Sequence, residues 1–254
     1  MSSNGFESNQ ALGSYLLAHY GAPEQRFRQH PEARGTGCFV ADCITEPLRH
    51  ITLANHRRAL DLGCSTGRST FELRRFFDEV IGLDRSHAFI SAADKMQRER
   101  SITADVERTP GESETIRFDL PPHLSNANGS FIEGDACALD PSLGRFDLVN
   151  MAQLIDRVPE PSHCLRQMAD FVEPGGWFIL TSSCNWQEKY TPREKWLGGH
   201  GGGLVAPCQA ILAPSFTLHH HFHLRYLIRD CPHWYEWSVA EVSIWHRSES
   251  LSGW

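Results

Sequence analysis

The chain lacks what would place it in a membrane, on nucleic acid or outside a cell. Its eight cysteines (Cys38, Cys43, Cys64, Cys137, Cys164, Cys184, Cys208 and Cys231) include no C-x-x-C pair. That scatter argues against a structural zinc site, which shows paired short spacings, and points to reduced, mostly buried thiols. No run approaches the roughly 18 apolar residues of a membrane span. The opening MSSNGFESNQ has no basic region followed by an apolar one. A cytoplasmic protein with no membrane partner is therefore expected. Lys and Arg, 24 against 31 Asp and Glu, nowhere gather without acids among them, and the formal charge is −7. Phosphate-backbone binding is not indicated, so nucleic acid is not an expected partner. Internal repeats and low-complexity tracts are also missing. What remains is an ordinary globular composition, 254 residues with 41% hydrophobic, enough for one large α/β domain with decorations.

The first fifty or so residues read as helix and loop, including an apolar stretch from Tyr15 to Tyr20 that stops at Gly21 and Pro23. From Arg58 the pattern changes. Ala59 to Leu62 reads as a short strand, Gly63 to Gly67 as a turn, and Leu73, Phe76, Phe77 and Val80 recur at helical spacing. Val80 to Leu83 also reads as a second strand, followed by a helix-like segment from Ala88 to Gln97. This β-α-β order predicts parallel strands. Ile102, Ala104 and Val106 then alternate with polar residues, Thr109-Pro110-Gly111 forms a turn, and Ile116, Phe118 and Leu120 follow, as in an inserted β-hairpin. Strands resume at Phe131 to Glu133 and Phe146 to Asn150. Leu165, Met168, Ala169 and Val172 keep helical spacing up to Pro174-Gly175-Gly176. Trp177 to Leu180 is a continuous apolar run, which suits a central strand covered on both faces. After a loop-rich stretch from about 184 to 214, residues 216–226 and 238–245 read as two long strands joined through Pro232, an antiparallel pair at a sheet edge.

The strongest local signal is Asp61-Leu62-Gly63-Cys64-Ser65-Thr66-Gly67, a D-x-G-x-x-x-G turn between a strand and a helix. Glycines let the backbone turn tightly and approach a ligand, and the turn aims the helix N-terminus towards it. A dinucleotide site favours G-x-G-x-x-G, and Ser65 stands where the second glycine would be. Asp84 ends the next strand, where an acidic residue accepts hydrogen bonds from ribose hydroxyls. Gly134-Asp135-Ala136 follows the third strand, where an Asp can accept from an adenine amine. One nucleoside fits, with no pyrophosphate required.

The series DLGCSTG, GLD, EGDA, FDLVN and PGGWFIL, over roughly residues 58–183, resembles the motif order of class I S-adenosylmethionine methyltransferases. Further segments narrow it: Tyr15 to Gly21, Leu154-Ile155-Asp156-Arg157, and the run from Asn185 to Gly199 containing W-x-E-x-Y-T-P-R-E-x-W-L-G-G. These resemble the methyltransferase module of the ovothiol-forming proteins, the 4-mercaptohistidine N1-methyltransferases, with a departure at Cys184-Asn185, where that family has Tyr-Thr.

The resemblance implies a fold, a cofactor and a site. The fold is α/β: a Rossmann-like, seven-stranded, mostly parallel sheet with an antiparallel final strand. It comprises an N-terminal helical cap (1–57), a core (58–97 and 129–246) and a hairpin insertion (98–128), the cap and hairpin closing over the sheet's carboxyl edge. S-adenosylmethionine, leaving as S-adenosylhomocysteine, would be held by Asp61, Gly63, Cys64, Gly67, Arg68, Asp84, Arg85, Asp135, Ala136 and Met151. The substrate would be a small amino acid held by Tyr15, Asp156, Arg157, Asn185, Trp186, Glu188, Tyr190, Arg193 and Trp196, with Asp156 and Tyr190 catalytic. An amino-acid substrate needs an anion for its ammonium and a cation for its carboxylate, and these segments offer both beside aromatic surface.

The expected reaction is N-methylation of the imidazole of 5-thiohistidine to ovothiol A, with a functional link to a separate sulfoxide synthase. Alternatives are a methyltransferase for another small thiol or imidazole compound and a non-catalytic cofactor-binding protein. His219, His221 and His223 share one face of a strand, yet no further ligand stands near in sequence, and no metal is expected. Trp177 and Trp245 read as core or interface aromatics.

Overall fold

The computed structural model of this chain describes residues 8–109, 111–124, 128–198, 202–231 and 234–249; Pro110, Gly199, Pro232 and residues 125–127, named in the sequence reading, lie outside them. Three helices come first: α1 (Asn9–Tyr20), α2 (Pro23–Arg26) and α3 (Phe39–Leu48). The Ser8 hydroxyl starts α1 by accepting from the Ala11 N–H at 3.1 Å, and Gly21 follows its end. A seven-stranded sheet occupies the centre. Its parallel part comprises β1 (Arg58–Leu62), β2 (Glu79–Asp84), β5 (Asn128–Glu133), β6 (Phe146–Ala152) and β7 (Val172–Ser182). Between β2 and β5, β3 (Ser101–Thr109) and β4 (Glu112–Asp119) form a separate antiparallel hairpin. β8 (Phe216–Cys231) and β9 (Trp234–Arg247) complete the sheet, in the order β5-β2-β1-β6-β7-β9-β8. The final strand, β9, is antiparallel to both neighbours and sits between β7 and β8, leaving β8 at the edge.

Alternate residues of the inner strands feed opposite faces. Leu60, Leu62, Val149, Phe178 and Leu180 pack with Leu165 and Met168 of α6 (Pro161–Phe171) and with Cys208 and Leu212 of α7 (Val205–Leu212). Ala59, Val80, Leu148, Ile179 and Ile244 meet Ile44 of α3 and Leu73 of α4 (Arg68–Leu73) on the other side. Each fully buried Leu, Ile or Phe stabilises the fold by about 1.5–3 kcal/mol before packing losses. Both faces are covered, which explains the unbroken apolar run at Trp177 to Leu180. The hairpin has its own core: Ile102, Val106, Ile116 and Phe118 pack with Leu16 and Leu17 of α1 and with Ala93 and Met96 of α5 (His87–Glu99). The described cysteines are free thiols; Cys43, Cys64, Cys137, Cys164 and Cys208 are buried, Cys38 and Cys184 partly so. No helix among the described residues is long and apolar enough to cross a membrane.

Local patterns misled the sequence reading at four places. α4 ends at Leu73, because the Asp78 and Glu79 N–H groups bond to the His56 and Arg57 carbonyls at 2.8 and 2.9 Å and draw the chain into β2; Val80 thus pairs with Ala59. α6 ends at Phe171, before Pro174-Gly175-Gly176. The chain enters β7 directly, and the Pro-Gly-Gly segment occupies a register shift between the Phe146–Val172 and Leu148–Trp177 pairs. The stretch from 184 to 214 contains α7, whose first N–H groups are met by the Glu241 carboxylate of β9, at 3.1 Å from Leu204 N and 3.0 Å from Val205 N. β8 and β9 are also longer than expected. Beyond the Leu224–Ala240 pair they run past the last residue of β7, forming an arm that projects over the sheet's carboxyl edge.

Candidate active site

Parallel strands send all their carboxyl ends to one edge, and the loops there form the site. After β1 the chain turns back through three residues in the left-handed region: Gly63 (φ +74), Ser65 (φ +50) and Gly67 (φ +88). The Gly63 and Cys64 N–H groups donate to the Leu83 carbonyl at 2.8 and 3.1 Å. At Gly67 a Cβ would fall 2.7 Å from the Phe131 ring, so conformation and space both require glycine.

Two carboxylates organise this turn. Asp61, 1% exposed, accepts from Ser69 Oγ at 2.6 Å, Thr70 Oγ1 at 2.7 Å and Asn150 Nδ2 at 2.8 Å. It ties β1, α4 and β6 together under the turn; burial pushes its carboxyl above the usual range, and those three hydrogen bonds pull the other way. Asp84 accepts from the Ser65 and Ser86 N–H groups, each at 2.9 Å. Burial raises its pKa too, against those two N–H groups. Each Asp84 oxygen keeps a further lone pair for a ribose hydroxyl.

Gly63, Leu83, Asp84, Arg85, Asp135, Ala136, Leu154, Arg157, Val158 and Pro159 line a cleft of about 330 Å³. Five of the expected cofactor residues line it: Gly63, Asp84, Arg85, Asp135 and Ala136. Asp61, Cys64 and Gly67 shape it from behind. Two others are placed elsewhere. Arg68 is buried with its guanidinium bonded to Glu72 at 2.9 and 3.1 Å and to the His19 carbonyl at 2.8 Å, which makes it a tie between α1 and α4. Met151, fully buried, packs into the sheet core. S-adenosylmethionine fits the cleft: acidic acceptors stand at the ends of β2 and β5 for ribose and adenine, and the Ser65 hydroxyl beside them is buried with no partner among the described residues.

α1 lies against the glycine turn. Tyr20 donates its hydroxyl to the Thr66 carbonyl at 2.7 Å, and the Thr66 hydroxyl meets His19 Nδ1 at 2.9 Å. One turn earlier, Tyr15 packs on Phe89 with ring centroids 4.7 Å apart. Burial pushes the Tyr15 hydroxyl up to about 12; Arg157 opposes this, and Asp84, Tyr190 and Asp156 add to it. The cap, the β2 end and the loops after β6 and β7 thus bring Tyr15, Asp84, Asp156, Arg157 and Tyr190 within electrostatic reach of one another.

Asp156, 1% exposed, has an Arg157 guanidinium nitrogen 3.1 Å from its Oδ2, yet among the described residues neither carboxylate oxygen has a well-aligned hydrogen bond. Burial raises its pKa, and Arg157, then the nearby Asp156 and Asn185 N–H groups at poorer alignment, oppose the rise. Arg157 is itself fixed by the Asp156 carbonyl at 3.0 Å and by the Asn185 carbonyl, 5.3 Å from the centre of the Tyr190 ring.

The remaining expected substrate residues divide. Glu188, Arg193 and the Asn185 side chain are exposed. Trp186 is buried and nearly parallel to Trp196 at 6.3 Å; Trp196 Nε1 donates to the Thr191 carbonyl at 2.9 Å, and the Thr191 hydroxyl to the Val158 carbonyl at 2.7 Å. The two tryptophans thus pin the loop to the sheet. Sequence reasoning missed Gln153, Ser183 and Tyr226. Ser183 N–H donates to Gln153 Oε1 at 3.0 Å, Gln153 Nε2 donates to Ser183 Oγ at 2.7 Å, and the Tyr226 hydroxyl meets the same Oγ. No local signal reveals this, because Tyr226 arrives from the β8 arm.

The histidines of β8 point elsewhere. His219 Nε2 lies 3.0 Å from the His50 carbonyl, and His220 stacks on His50 at 4.3 Å. Among the described residues no group of three His, Cys, Asp or Glu side chains is arranged to hold a metal.

This strand order, with a glycine turn after the first strand and acids after the next two, defines a class I methyltransferase fold. The methyltransferase-domain family matches residues 36–241, and the chain belongs to it. That match makes residues 36–241 a methyltransferase domain. The ubiquinone biosynthesis O-methyltransferase of Burkholderia vietnamiensis is 27% identical over 133 residues, 52% of this chain and 47% of that protein. The chain thus spans about half the length of the curated relatives it matches. Among solved structures, the N-methyltransferase NodS of Bradyrhizobium japonicum with S-adenosylhomocysteine superposes with a TM-score of 0.54 at 15% identity, covering 91% of this chain and 100% of that one. A SAM-dependent methyltransferase from Methanosarcina mazei gives 0.54 at 17% identity, covering 80% and 98%. These likenesses carry the fold.

Proposed function

We propose that the chain transfers a methyl group to the imidazole nitrogen of 5-thiohistidine (4-mercaptohistidine), giving ovothiol A. The observation that carries this reading is Asp156: a buried carboxylate with no well-aligned hydrogen bond among the described residues, paired with Arg157 of the cofactor cleft and within electrostatic reach of Tyr15. Such a group suits a ring N–H. Bound S-adenosylmethionine supplies a sulfonium methyl that needs alignment and no Lewis acid. Asp156 accepts from one ring N–H and so fixes the tautomer in which the other nitrogen keeps its lone pair. Arg157, which lines the cleft, offers the cation for the amino acid's carboxylate. Tyr15 and Tyr190 give the flat ring aromatic surface and exclude water. A reaction that installs sulfur on histidine, of the sulfoxide-synthase class, must supply this acceptor.

A free thiolate is the stronger nucleophile, so orientation decides the product. Incubation with 5-thiohistidine and S-adenosylmethionine should yield a product that keeps an alkylatable thiol and shows a ring N-methyl signal by NMR. Asp156→Asn should lower kcat about 100-fold or more with cofactor affinity unchanged, in line with loss of a group that orients the reacting atom. An S-methyl product, or no turnover while the cofactor binds, would leave only the general methyltransferase.

A further inference from the structure

We propose that Gln153 selects the acceptor atom, its amide holding the thiolate aside while the ring nitrogen reacts. The inference rests on the thiol–imidazole reading above. Gln153 follows the end of β6 and precedes Leu154, whose side chain lines the cleft and would lie 3.1 Å from a Cβ placed on Gly63. Its backbone stands in the left-handed region at φ +54, and Cys184, just past the end of the adjacent β7, has φ +54 as well. Such conformations are costly in a non-glycine residue and persist where the surroundings over-determine them, often at ligand-holding sites. The surroundings here are explicit. Gln153 N–H donates to the Thr181 carbonyl at 2.7 Å, its carboxamide is gripped by Ser183, and Ser183 is held by the Tyr226 hydroxyl. The Tyr226 ring lies flat on Phe39 of α3, at 3.8 Å and 16°. β7, β8 and α3 therefore act together to fix Gln153.

A carboxamide has two N–H donors. Among the described residues the Gln153 amide uses one, on Ser183 Oγ. Gln153 precedes Leu154, which lines the cleft, and stands three residues before Asp156 in the chain, so we assign its other N–H to the acceptor. A neutral N–H donated to a thiolate draws charge from sulfur without protonating it, and fixes where it lies. With Asp156 on the ring N–H and Gln153 on the sulfur, a rigid planar ring has one nitrogen left to face the methyl group. That nitrogen's lone pair forms the N–C bond as the C–S bond of the sulfonium breaks, and the bonding pair leaves on the cofactor sulfur. The ring becomes an imidazolium beside its thiolate, so no proton need leave in the same step.

The test compares the wild type, Gln153→Ala, Gln153→Glu and Tyr226→Phe with S-adenosylmethionine and 5-thiohistidine. N- and S-methyl products are separated by NMR, and S-adenosylhomocysteine affinity is measured by calorimetry. Gln153→Ala should raise KM for the acceptor about tenfold, the loss of one hydrogen bond to a charged group, and produce S-methyl product. Its affinity for S-adenosylhomocysteine should stay within about twofold of wild type, since the amide is placed on the acceptor. Tyr226→Phe, which loosens the clamp, should shift the product ratio the same way by less. Gln153→Glu keeps the shape should the alanine variant fail to fold, and sets a carboxylate against the thiolate; it should lose acceptor affinity at least about tenfold by like-charge repulsion. Unchanged KM and N-methyl product alone in the Gln153 variants overturn this inference and spare the 5-thiohistidine reading. A wild type that does not N-methylate 5-thiohistidine overturns both.

Discussion

Asp84 carries two duties that a single substitution separates. Its carboxylate closes the glycine turn through the Ser65 and Ser86 N–H groups and also lines the cleft that we assign to the cofactor's ribose. Asp84→Asn keeps one acceptor oxygen for the turn but loses the charge, whereas Asp84→Ala loses both. Calorimetry should show S-adenosylhomocysteine affinity falling at least about tenfold in Asp84→Ala and by less in Asp84→Asn, the scale of hydrogen bonds to a charged acceptor. Equal affinity in the wild type and the alanine variant would remove Asp84 from the site. The positions of Asp84, Gly63 and Asp135 in the fold were legible in the sequence because each lies at or within two residues of a strand end, and strand ends determine where an α/β sheet binds. Gln153 and Tyr226 were not, because their meeting depends on the register of β8 against β9 and of β9 against β7, which no short window contains. Arg68 misled for the opposite reason: it adjoins the turn, yet Glu72, one helical turn on, captures its guanidinium.

Among the elements, α1 is the one whose placement matters most for the site, and a single glycine shows how closely it packs. A Cβ on Gly13 would fall 2.0 Å from the Asp105 carbonyl of β3, so helix and hairpin touch backbone to backbone. At its other end His19 is buried, and burial first, then the nearby Arg68, lowers its pKa to about 3. The ring is neutral in the folded state, while in the unfolded chain it titrates near its ordinary 6.5. Since the folded pKa is the depressed one, the stability it confers is present above about pH 6.5 and lost as the pH falls towards 3, with the unfolded state taking up the proton. Each pH unit in that window removes about 1.4 kcal/mol, so denaturation at about pH 5 should show roughly 2 kcal/mol less stability than at pH 7.5 from this group alone. His19→Gln should flatten that dependence while lowering stability at neutral pH. A slope equal to that of the wild type would place His19 outside the coupling. That helix stands in the first fifty residues was readable from composition, but the docking of α1 was not, since Thr66 and Asp105 lie far along the chain. α7 was invisible for a similar reason, its first turn being satisfied by Glu241 of β9.

At the scale of the whole molecule, the cap, the hairpin and the β8–β9 arm meet one another as well as the sheet. Tyr235 of the arm stacks on Phe27 between the first helices, Arg229 reaches the Glu107 carbonyl of the hairpin at 3.5 Å, and Tyr226 stacks on Phe39 of α3. Three separate insertions on a parallel sheet thus converge over its carboxyl edge, where the glycine turn and both strand-end acids lie. A ligand seated there touches the turn beneath and the cap above, so binding should stabilise these parts together. By mass action a ligand at about 100 times its Kd adds about 2.7 kcal/mol. For a chain of this length about 2–4 °C accompany each kcal/mol, so S-adenosylmethionine or S-adenosylhomocysteine should raise Tm by about 5–10 °C. NADH should give no shift, because Ser65 replaces the glycine that lets a pyrophosphate approach the turn. Exhaustive chelation should leave both the shift and the methyl transfer intact, since aligned displacement at a sulfonium needs no Lewis acid. Loss of activity on chelation with recovery on zinc would instead direct attention to the histidines of β8. A Tm shift with S-adenosylhomocysteine that disappears when Tyr20→Phe cuts the link from α1 to the Thr66 carbonyl would show that the cap, and not the sheet alone, holds the cofactor.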